Sequence, residues 1–596
     1  MIRILSLALC FLSLQVAAET KPNLIVIFTD DHGWPDLGAV GEYDDLKTPH
    51  LDILAASGVR ATSGYVTAPQ CVPSRAGLLT GKAQNRFGVE SNGLPLDGFN
   101  AEQTIAERLR KAGYATGQIG KWHLGATNAI TDHGFDDVYA KHVNRPCHAN
   151  YNLQGETIGM QMVDDEMFHL DACSEAALTF IRRHEKKPFF LYLAYRAPHV
   201  PLDAPQKYLS RFPGKMPERR RQALAMISAM DDGVGAIVKE LKVRNLTSKT
   251  LLFFIGDNGA PLKIHKLDAP GGGPGWDGSL NEPMNGEKGM LTEGGIRVPF
   301  VVSWPGTIPA GQVYDHPLSS LDVAATAVSL AGLPTDPALD GVDLVPYLSG
   351  KTKGAPHKFL TWRWIAQSAI REGKWKLLRG GQREYLFDLD TDPEEKNDLA
   401  AANPQIVKRL RAQLESWASE LKPPGLATNK MSETWERYYD FYLDGKPAPE
   451  LREPAKRSGK QASFQGWAAR KASIAIREGA LRITPSSQKG PVLVLSKLKW
   501  PGEFTAKVRL QSEEGGSIGV AWRLEGQKDF LPNQIARAEI KGSKEWQEVS
   551  IVGPAKGKTI HLRLFLPPGA SAVKSIRLER GKQSQEWRFQ KGERSK

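Results

Sequence analysis

The 596-residue sequence contains only four cysteines and lacks an apolar run long enough to cross a membrane. Its one extended apolar segment, residues 4–14, is shorter than the roughly 20 residues that a membrane span needs. Arg3 precedes this segment and the small residues Val16-Ala17-Ala18 follow it, which predicts a secretory signal over residues 1–18. We therefore expect a secreted or periplasmic protein without a membrane span.

The four cysteines leave little scope for disulfides. Cys10 lies in the predicted signal and Cys71 lies in a motif described below, so Cys147 and Cys173 remain. An oxidising compartment allows these two to pair. The sequence gives no distance between them, and two separate thiols remain an open alternative.

The sequence also lacks the patterns of nucleic-acid-binding modules. There is no RNP, zinc-finger or helix-turn-helix pattern and no dense block of Lys and Arg, although the net charge is +12 and the pI is near 9.2. A basic balance indicates either a solvated surface or an anionic partner such as nucleic acid, anionic lipid or acidic glycan. The missing motifs argue against nucleic acid.

Short apolar runs recur along the first half of the chain. Residues 23–28, 188–195 and 250–255 are rich in β-branched and aromatic residues, helical patterns separate them, and residues 115–119 are a further strand candidate. Runs of this kind are typical of strands buried on both faces in a parallel sheet. The pattern predicts an α/β fold.

Acidic residues follow two of these predicted strands. Asp30-Asp31 follows the first, and Asp257-Asn258 follows the strand at 250–255. Ligand groups in open α/β sheets gather beyond the carboxyl ends of the strands. A lone Asp there is more often a helix cap, but two adjacent carboxylates repel each other unless a cation neutralises them. These four residues predict a site for Ca²⁺ or Mg²⁺, which both prefer oxygen ligands.

A compact motif runs from Cys71 to Gly81 and reads C-x-P-S-R-x-x-x-L-T-G. Pro73 suits the first turn of a helix, which places Cys71 at a helix N-terminus, where unpaired amides favour an anion. Arg75, about one turn further on, adds a permanent positive charge. Taken alone, Cys71 is better explained as a small buried thiol beside a helix cap.

Three further segments carry basic side chains just after or before predicted strands. Lys121 and His123 lie in G-K-W-H-L-G, His199 lies between two prolines in P-H-V-P, and Lys288 lies in G-E-K-G. Each has a plain alternative as a surface charge or a structural histidine. Their positions make them candidates for binding an anion and for acid–base chemistry.

The Cys71 motif resembles the signature of the type I sulfatases, and residues 113–125 match a second sulfatase pattern, G-Y-x-T-x-x-x-G-K-W-H-L-G. The resemblance covers roughly residues 22–425. It implies the fold of the alkaline phosphatase superfamily, with a large mixed central sheet flanked by helices. It also implies that a maturation enzyme oxidises Cys71 to formylglycine.

The same resemblance assigns roles to the candidates. A divalent cation, most often calcium in this family, would be bound by the residue at position 71 together with Asp30, Asp31, Asp257 and Asn258. The hydrate of formylglycine would be the nucleophile, and Arg75 would stabilise it. The remaining candidates would bind the sulfate and move protons, with His199 and Lys288 acting on the leaving alcohol, His123 acting on the hydrate, and Lys121 holding the sulfate.

The C-terminal part of the chain has a different composition. Residues 426–465 are polar and predict a linker, and residues 466–596 contain short, evenly spaced alternating segments typical of an all-β sandwich or jelly roll. Trp500, Trp522 and Trp546 are candidates for stacking on sugar rings, although aromatic core residues are the more common case. With the resemblance, we expect a catalytic domain at 19–350 and a smaller subdomain at 351–425.

The leading hypothesis is a secreted sulfatase that acts on a sulfated carbohydrate. One alternative is a phosphomonoester or phosphodiester hydrolase of the same superfamily, and another is a glycan-binding protein without activity. Eight basic and aromatic residues on expected site loops are candidates for substrate contact, with ordinary surface charge as the equal alternative: Arg86, Lys141, His142, Arg145, His148, Lys263, His265 and Trp276.

Overall fold

The computed structural model describes residues 21–262, 276–426, 430–447, 463–470, 472–485, 490–527, 530–531 and 534–590. The chain forms two compact units, Met1–Pro449 and Glu450–Lys596. The strands described in the first unit are β1 Asn23–Asp30, β2 Val59–Ala61, β3 Gly64–Tyr65, β4 Ala115–Gly120, β5 Asp137–Tyr139, β6 Cys147–Tyr151, β7 Thr157–Val163, β8 Phe189–Pro198, β9 Thr250–Gly256, β10 Phe300–Ser303, β11 Gln312–Tyr314, β12 Leu318–Ser319, β13 Leu360–Trp364, β14 Gln367–Glu372, β15 Trp375–Gly380 and β16 Arg383–Asp388.

The α-helices of this unit connect and cover these strands. They are α1 Pro49–Ala56, α2 Cys71–Thr80, α3 Asp97–Asn100, α4 Ile105–Lys111, α5 His169–His184, α6 Gln206–Leu209, α7 Glu218–Val243, α8 Glu293–Ile296, α9 Asp322–Leu330, α10 Val345–Leu348, α11 Pro404–Ala418 and α12 Glu433–Tyr442.

The centre of the first unit is a ten-stranded sheet in the order β11-β2-β10-β9-β1-β8-β4-β5-β6-β7. The four central strands β9, β1, β8 and β4 run parallel, and β10 joins them antiparallel, so the sheet is mixed. Along β1, Val26 and Phe28 pack into one hydrophobic cluster and Ile25 and Ile27 into another on the opposite face. Both faces are therefore buried, as the apolar runs predicted.

The parallel strands place their polar ends at one edge of the sheet. Asp30 at the end of β1 pairs with Pro198 at the end of β8, after a register shift between Phe28 and Asp30. Thr29 of β1 pairs with Gly256, which directly precedes Asp257. The residues that follow β1, β4, β8 and β9 therefore converge on one region.

A smaller antiparallel sheet, β13-β14-β15-β16, follows the large one. Helix α11 packs on it through Leu410 and Leu414, which share a cluster with Ile370, Leu377 and Leu386. These four short strands lie within the residues where a smaller subdomain is expected, 351–425.

The predicted linker at 426–465 is wrong in its first part. Residues 433–442 form helix α12, and Tyr439 within it is fully buried against the first unit. The physical reason is an aromatic stripe on an otherwise polar helix, because Trp435, Tyr438, Tyr439 and Tyr442 recur at helical spacing. Residues 448–462 lie outside the described part of the chain, and the other domain boundaries remain predictions.

The second unit is all-β in its described residues. Its strands are β17 Ser463–Phe464, β18 Trp467–Arg470, β19 Ala472–Arg477, β20 Ala480–Pro485, β21 Val492–Pro501, β22 Phe504–Ser512, β23 Gly516–Leu524, β24 Ile535–Ile540, β25 Ser543–Gly553, β26 Lys558–Phe565, β27 Ser571–Arg580 and β28 Gln583–Arg588. One sheet has the order β17-β18-β21-β26-β23-β24 and the other β19-β20-β27-β22-β25, with β28 beside β27.

These two sheets enclose one hydrophobic core, which confirms the expected sandwich. Trp500 and Trp522 are 1% and 3% exposed and belong to this core, so they do not form a sugar-stacking surface. Trp546 is half-buried, with the Lys574 ammonium 5.4 Å from its ring centre.

Two smaller expectations concern cysteines and membrane spans. Cys71, Cys147 and Cys173 are all buried free thiols, so the alternative of separate thiols holds in this structure. Among the described residues, no helix combines the length and the apolar composition that crossing a membrane requires.

Candidate active site

Helix α2 begins at Cys71, as the motif predicted, and the Cys71 residue is only 1% exposed. The Cys71 sulfur lies 3.3 Å from Asp30 Oδ1 and 3.3 Å from Lys288 Nζ, and 3.9 Å from Asp31 Oδ1. The residue is thus held between carboxylates from β1 and a lysine from a distant loop. Three segments that are far apart in the sequence meet at this side chain.

The acidic residues come from the adjacent strands β1 and β9. Asp31 has a φ of 58°, a left-handed conformation that turns the chain sharply after the strand. Its amide N–H donates to Asp257 Oδ1 at 3.0 Å, and Asn258 Nδ2 donates to Asp31 Oδ1 at 2.7 Å. Asp30, Asp257 and Asn258 are fully buried and Asp31 is 1% exposed. The four predicted oxygen ligands therefore form one cluster.

Three permanent positive charges balance these carboxylates. Arg75 Nη2 lies 2.8 Å from Asp257 Oδ2, while Lys121 and Lys288 donate to Asp30 and Asp31, respectively. The Arg75 guanidinium also lies 5.4 Å from the centre of the Phe28 ring, on the apolar side of the site. All three basic residues predicted from the sequence are at the site.

The electrostatics of the site follow from burial and these charges. Burial alone would raise the pKa of Asp30, but the charges of His199 and Lys121 outweigh it and hold this pKa well below its usual range. Burial and the negative charge of Asp30 raise the pKa of Asp257 to about 7. Burial, with Asp257 second, raises the pKa of the Cys71 thiol well above its ordinary value, so the thiol is neutral at neutral pH.

His199 is fixed on the loop that follows β8. Its Nδ1 lies 2.6 Å from the carbonyl oxygen of Val200, which can only accept, so Nδ1 carries a proton. Its Nε2 lies 3.5 Å from Asp31 Oδ2 and faces the cluster. Arg196 also donates to the Val200 carbonyl oxygen, at 2.9 Å, and braces the loop. Burial lowers the pKa of His199 below its ordinary value, although Asp30 and Asp31 oppose this.

His123 occupies a different position from the other candidates. It is exposed and has a φ of 63°, and it does not join the hydrogen-bonded cluster among the described residues. Desolvation of its imidazole ring by the surrounding protein lowers the pKa of His123 to about 3, and the positive charges of Lys121 and Arg75 act in the same direction. The structure therefore places His123 at the solvent side of the site, within electrostatic reach of its charges.

Comparison with known families identifies the first unit. The family model described as Sulfatase matches residues 22–333, more than half of the chain, and includes every residue of the cluster. This chain belongs to the sulfatase family. A second model, described as N-sulphoglucosamine sulphohydrolase, C-terminal, matches residues 286–420. The protein is thus a sulfuric ester hydrolase of the alkaline phosphatase superfamily, and its C-terminal sandwich lies beyond both matches.

Individual relatives agree with this assignment. The sulfatase is 32% identical over 457 residues to the N-acetylgalactosamine-6-sulfatase of Sus scrofa, covering 66% of this chain and 84% of that protein. The crystal structure of Ps i-CgsB in complex with k-i-k-neocarrahexaose is 31% identical, with a TM-score of 0.59, and the match covers 71% of this chain and 97% of that one. A Bacteroides thetaiotaomicron structure from work on glycosaminoglycan metabolism, BT33336S-sulf, is 26% identical with a TM-score of 0.56, over 67% of this chain and 99% of that one.

The cluster in this sulfatase suits a hard divalent cation. The predicted ligands Asp30, Asp31, Asp257 and Asn258 offer carboxylate and amide oxygens. A carboxylate oxygen from each of Asp30 and Asp31 lies within 4.8 Å of the Cys71 sulfur and of a His199 ring nitrogen. The Asn258 Oδ1 atom is buried and has no hydrogen-bond partner among the residues that the structure describes. A buried acceptor without a donor is costly unless a cation binds it. The donor set fits Ca²⁺ or Mg²⁺ better than zinc, which favours nitrogen and sulfur.

Sequence reasoning missed side chains that support the site from inside the fold. Tyr192 Oη lies 3.2 Å from Arg75 Nη1, but in the sequence it is only one more aromatic residue of a buried strand. Arg196 precedes the P-H-V-P motif and offered no signal beyond its charge. Gln367, on β14 of the smaller sheet, donates to the Gly289 carbonyl oxygen in the Lys288 loop, and no sequence signal marks it as part of the site.

Several candidates for substrate contact serve other purposes. Arg86 forms ion pairs with Asp340 and Glu420, and Lys141 is buried beside Asp165. Trp276 is 4% exposed. Lys141 and Trp276 are therefore buried and not surface residues, and Arg86 is engaged in ion pairs within the fold. Lys263 and His265 lie outside the described residues, and His142, Arg145 and His148 remain predictions.

Proposed function

We propose that this sulfatase, after export, hydrolyses sulfate monoesters on a sulfated oligosaccharide or polysaccharide. The observation that carries the proposal is the position of Cys71, a buried residue at a helix start with Asp30 and Lys288 each 3.3 Å from its sulfur. The carbohydrate part is supported by the relatives, since one is named an N-acetylgalactosamine-6-sulfatase and Ps i-CgsB was crystallised with a carbohydrate. The basic net charge of the chain is compatible with such an acidic glycan.

The proposal includes conversion of Cys71 to formylglycine by a maturation enzyme of the host. A thiol that is 1% exposed and has a raised pKa is a poor nucleophile, because the thiolate is the reactive form. Hydrated formylglycine supplies one hydroxyl to attack sulfur and a second whose deprotonation releases the sulfate. The Arg75 guanidinium lies in the same helix and stabilises negative charge at this position.

Lys121 and Lys288 are the residues proposed to hold the sulfate. Their ammonium groups donate to Asp30 and Asp31 beside residue 71, from opposite parts of the chain. Fixed positive charges aimed at the reacting group stabilise the charge that develops as the S–O bond breaks. Because the site is buried, these charges act with little screening by solvent.

His199 is the proposed proton donor to the leaving alcohol in its doubly protonated form, which the charges of Asp30 and Asp31 favour. The Val200 carbonyl oxygen fixes the Nδ1 proton, so Nε2 is the nitrogen that exchanges a proton with the reacting group. His123 has a lowered pKa and lies toward solvent, so its neutral imidazole can accept the proton of the second hydroxyl. The two histidines thus divide the acid and base tasks.

The proposed cation ligands are Asp30, Asp31, Asp257 and Asn258, with the residue at position 71. A bound Ca²⁺ or Mg²⁺ supplies positive charge to the sulfate and neutralises the carboxylates. The unpartnered Asn258 Oδ1 supports this assignment. Calcium is the favoured ion because the cluster offers several carboxylate oxygens.

A comparison of esters tests the proposal against its alternatives. The matured protein is given a sugar sulfate, an aryl sulfate and the corresponding phosphate esters, in parallel with His199→Gln. We expect sulfate release only, with a loss of about 100-fold or more for His199→Gln on the sugar sulfate. The loss should be smaller on the aryl sulfate, whose leaving group needs no proton.

The alternatives predict different results. Faster release of phosphate than of sulfate would favour a phosphoester hydrolase. Binding of the glycan without turnover by protein that carries the aldehyde would favour a glycan-binding role. An equal loss for His199→Gln on both sulfates would remove His199 from the role of proton donor.

A further inference from the structure

Helix α12 contacts the loop that carries Lys288. This helix was predicted to be part of a linker, and it lies beyond residue 420, where the second family match ends. Lys288 is the only residue of its loop with a proposed role in the reaction. Its flexible side chain places the ammonium group 3.3 Å from the Cys71 sulfur, a position that depends on how the loop backbone is held.

The backbone on either side of Lys288 is tied to the core of the site. The Lys288 amide N–H donates to Ala260 O at 3.2 Å, and the Gly289 N–H donates to Pro69 O at 2.9 Å. Gly289 has a φ of 92°, which favours glycine. A Cβ atom at Gly289 would lie 2.0 Å from Cη2 of Trp435, so this α12 ring packs directly on the loop backbone.

A second link runs through Gln367 on β14. Gln367 Nε2 donates to Gly289 O at 2.9 Å, and its Oε1 accepts from the Leu291 N–H at 3.1 Å. The Tyr439 hydroxyl of α12 donates to the same Oε1 at 2.9 Å. Tyr439 and Gln367 are 0% and 1% exposed, so these bonds are protected from water. One buried amide therefore connects α12 to the residues on the C-terminal side of Lys288.

A third link holds the N-terminal side of the loop. The Tyr442 hydroxyl donates to Glu287 Oε1 at 2.9 Å, and Asn285 Nδ2 donates to the Tyr442 carbonyl oxygen at 2.8 Å. Glu287 is 1% exposed, so the bond to its carboxylate is a strong, charge-assisted one. Helix α12 thus contacts the loop on both sides of Lys288, at Asn285 and Glu287 before it and at Gly289 after it.

We propose that α12 positions Lys288 for the reaction, with Tyr439 and Tyr442 as the positioning residues. The inference rests on the proposed function, because Lys288 is a catalytic residue only there. A lysine loses much rotamer freedom when it is fixed, so a rigid loop backbone lowers the cost of placing its ammonium group. Loosening either tyrosine bond should displace the Lys288 ammonium without removing it.

The test uses Tyr439→Phe and Tyr442→Phe, which remove one hydroxyl each and keep the ring. Tyr438→Phe, on the same helix, is the matched control. We expect kcat for sulfate release to fall about tenfold in the two test variants with KM changed by less than about twofold, and no change in the control. Equal losses in all three variants would overturn the proposal.

A double-mutant cycle separates positioning from general damage to the fold. The same tyrosine variants are made in a Lys288→Met background, which has lost the ammonium group. If α12 acts through Lys288, the tyrosine changes cause no further loss of kcat in that background. The same fold loss in both backgrounds would show that α12 does not act through Lys288, and would overturn the proposal.

Amide hydrogen exchange provides a readout that does not depend on activity. We expect faster exchange of peptides covering residues 286–291 in both test variants and unchanged exchange in Tyr438→Phe. If wild-type protein releases no sulfate, the proposed function fails while exchange still decides whether α12 fixes the loop. Unchanged protection of residues 286–291 in both test variants would overturn the inference.

Discussion

Arg75 and Asp257 form a salt bridge of 2.8 Å in which neither side chain has any exposed surface. The same guanidinium contacts Tyr192 Oη and the Lys121 carbonyl oxygen. Helix α2 is thereby tied by one side chain to strand β8 and to the residues that directly follow β4 and β9. We therefore expect Arg75 to stabilise the fold in addition to its proposed role at residue 71.

Replacing Arg75 should destabilise the protein strongly. Arg75→Ala leaves Asp257 buried without its cation, and breaking a buried pair in this way costs about 3–5 kcal/mol. Chemical denaturation of the unmatured wild-type and variant proteins measures the difference in their free energies of unfolding. Arg182→Ala, which removes an exposed pair with Glu240, is the control and should cost about 1 kcal/mol or less. Similar losses in both variants would contradict the structural role.

Calcium should stabilise the folded protein through the cluster at residue 71. Calcium at roughly 100 times its dissociation constant should add about 2.7 kcal/mol to the free energy of unfolding. The measurement is the rise in Tm when calcium is added back to chelator-treated protein. Asn258→Ala should weaken calcium binding by at least about tenfold. Asp232→Asn is the control, since Asp232 belongs to a separate group with His50 and Asp231. A calcium effect lost in Asp232→Asn and kept in Asn258→Ala would place the ion elsewhere.

The unmatured Cys71 thiol should resist alkylation. It is 1% exposed, and burial raises its pKa, so little thiolate is available at pH 8. Iodoacetamide should label Cys71 only after unfolding, as read by mass spectrometry of the tryptic peptide that contains it. Cys147 and Cys173 are buried with raised pKa values and serve as internal references. Rapid labelling of Cys71 alone in native protein would show an accessible, reactive thiol.

The pairing of His357 with Asp322 should make the free energy of unfolding depend on pH. Its Nε2 lies 2.8 Å from Asp322 Oδ1, and although burial opposes it, this carboxylate raises the pKa of His357 above its ordinary value. The folded state then binds the proton more tightly than the unfolded state. The resulting stability is complete below the unfolded pKa of about 6.5 and is lost as pH rises through the folded pKa.

Thermal unfolding of His357→Gln tests this sign. The deficit in Tm relative to wild type should be largest near about pH 5.5 and should shrink toward about pH 9. The exposed His316 provides the control His316→Gln, for which we expect no such trend. A deficit for His357→Gln that grows with pH would contradict the pairing with Asp322.

The sequence allowed the central strands and the cluster to be predicted because both depend on local patterns. Val26 and Ile27 belong to a run apolar on both faces, which only a covered sheet accommodates, and Asp30-Asp31 at its end marks the edge. The motif around Cys71 added the helix start. Parallel pairing then brings such strand ends together without any further information from the sequence.

The parts that escaped prediction depend on long-range contacts. Helix α12 was missed because its polar residues suggested a linker, although the spacing of Trp435, Tyr439 and Tyr442 was a usable signal. Gln367 joins β14 to the Lys288 loop and to α12 through three hydrogen bonds, and nothing in its local sequence indicates that. Arg86 and Trp276 were candidates for the substrate because charge and aromaticity alone do not reveal an internal partner.

The most direct test of the account measures sulfate release against the fraction of residue 71 that carries the aldehyde. Preparations co-expressed with increasing amounts of a maturation enzyme are assayed on a panel of sulfated glycans, and mass spectrometry gives the aldehyde fraction. Cys71→Ala is the control. The account predicts release in proportion to the aldehyde fraction and none from Cys71→Ala. Release that is independent of this fraction, or that persists in Cys71→Ala, would contradict it.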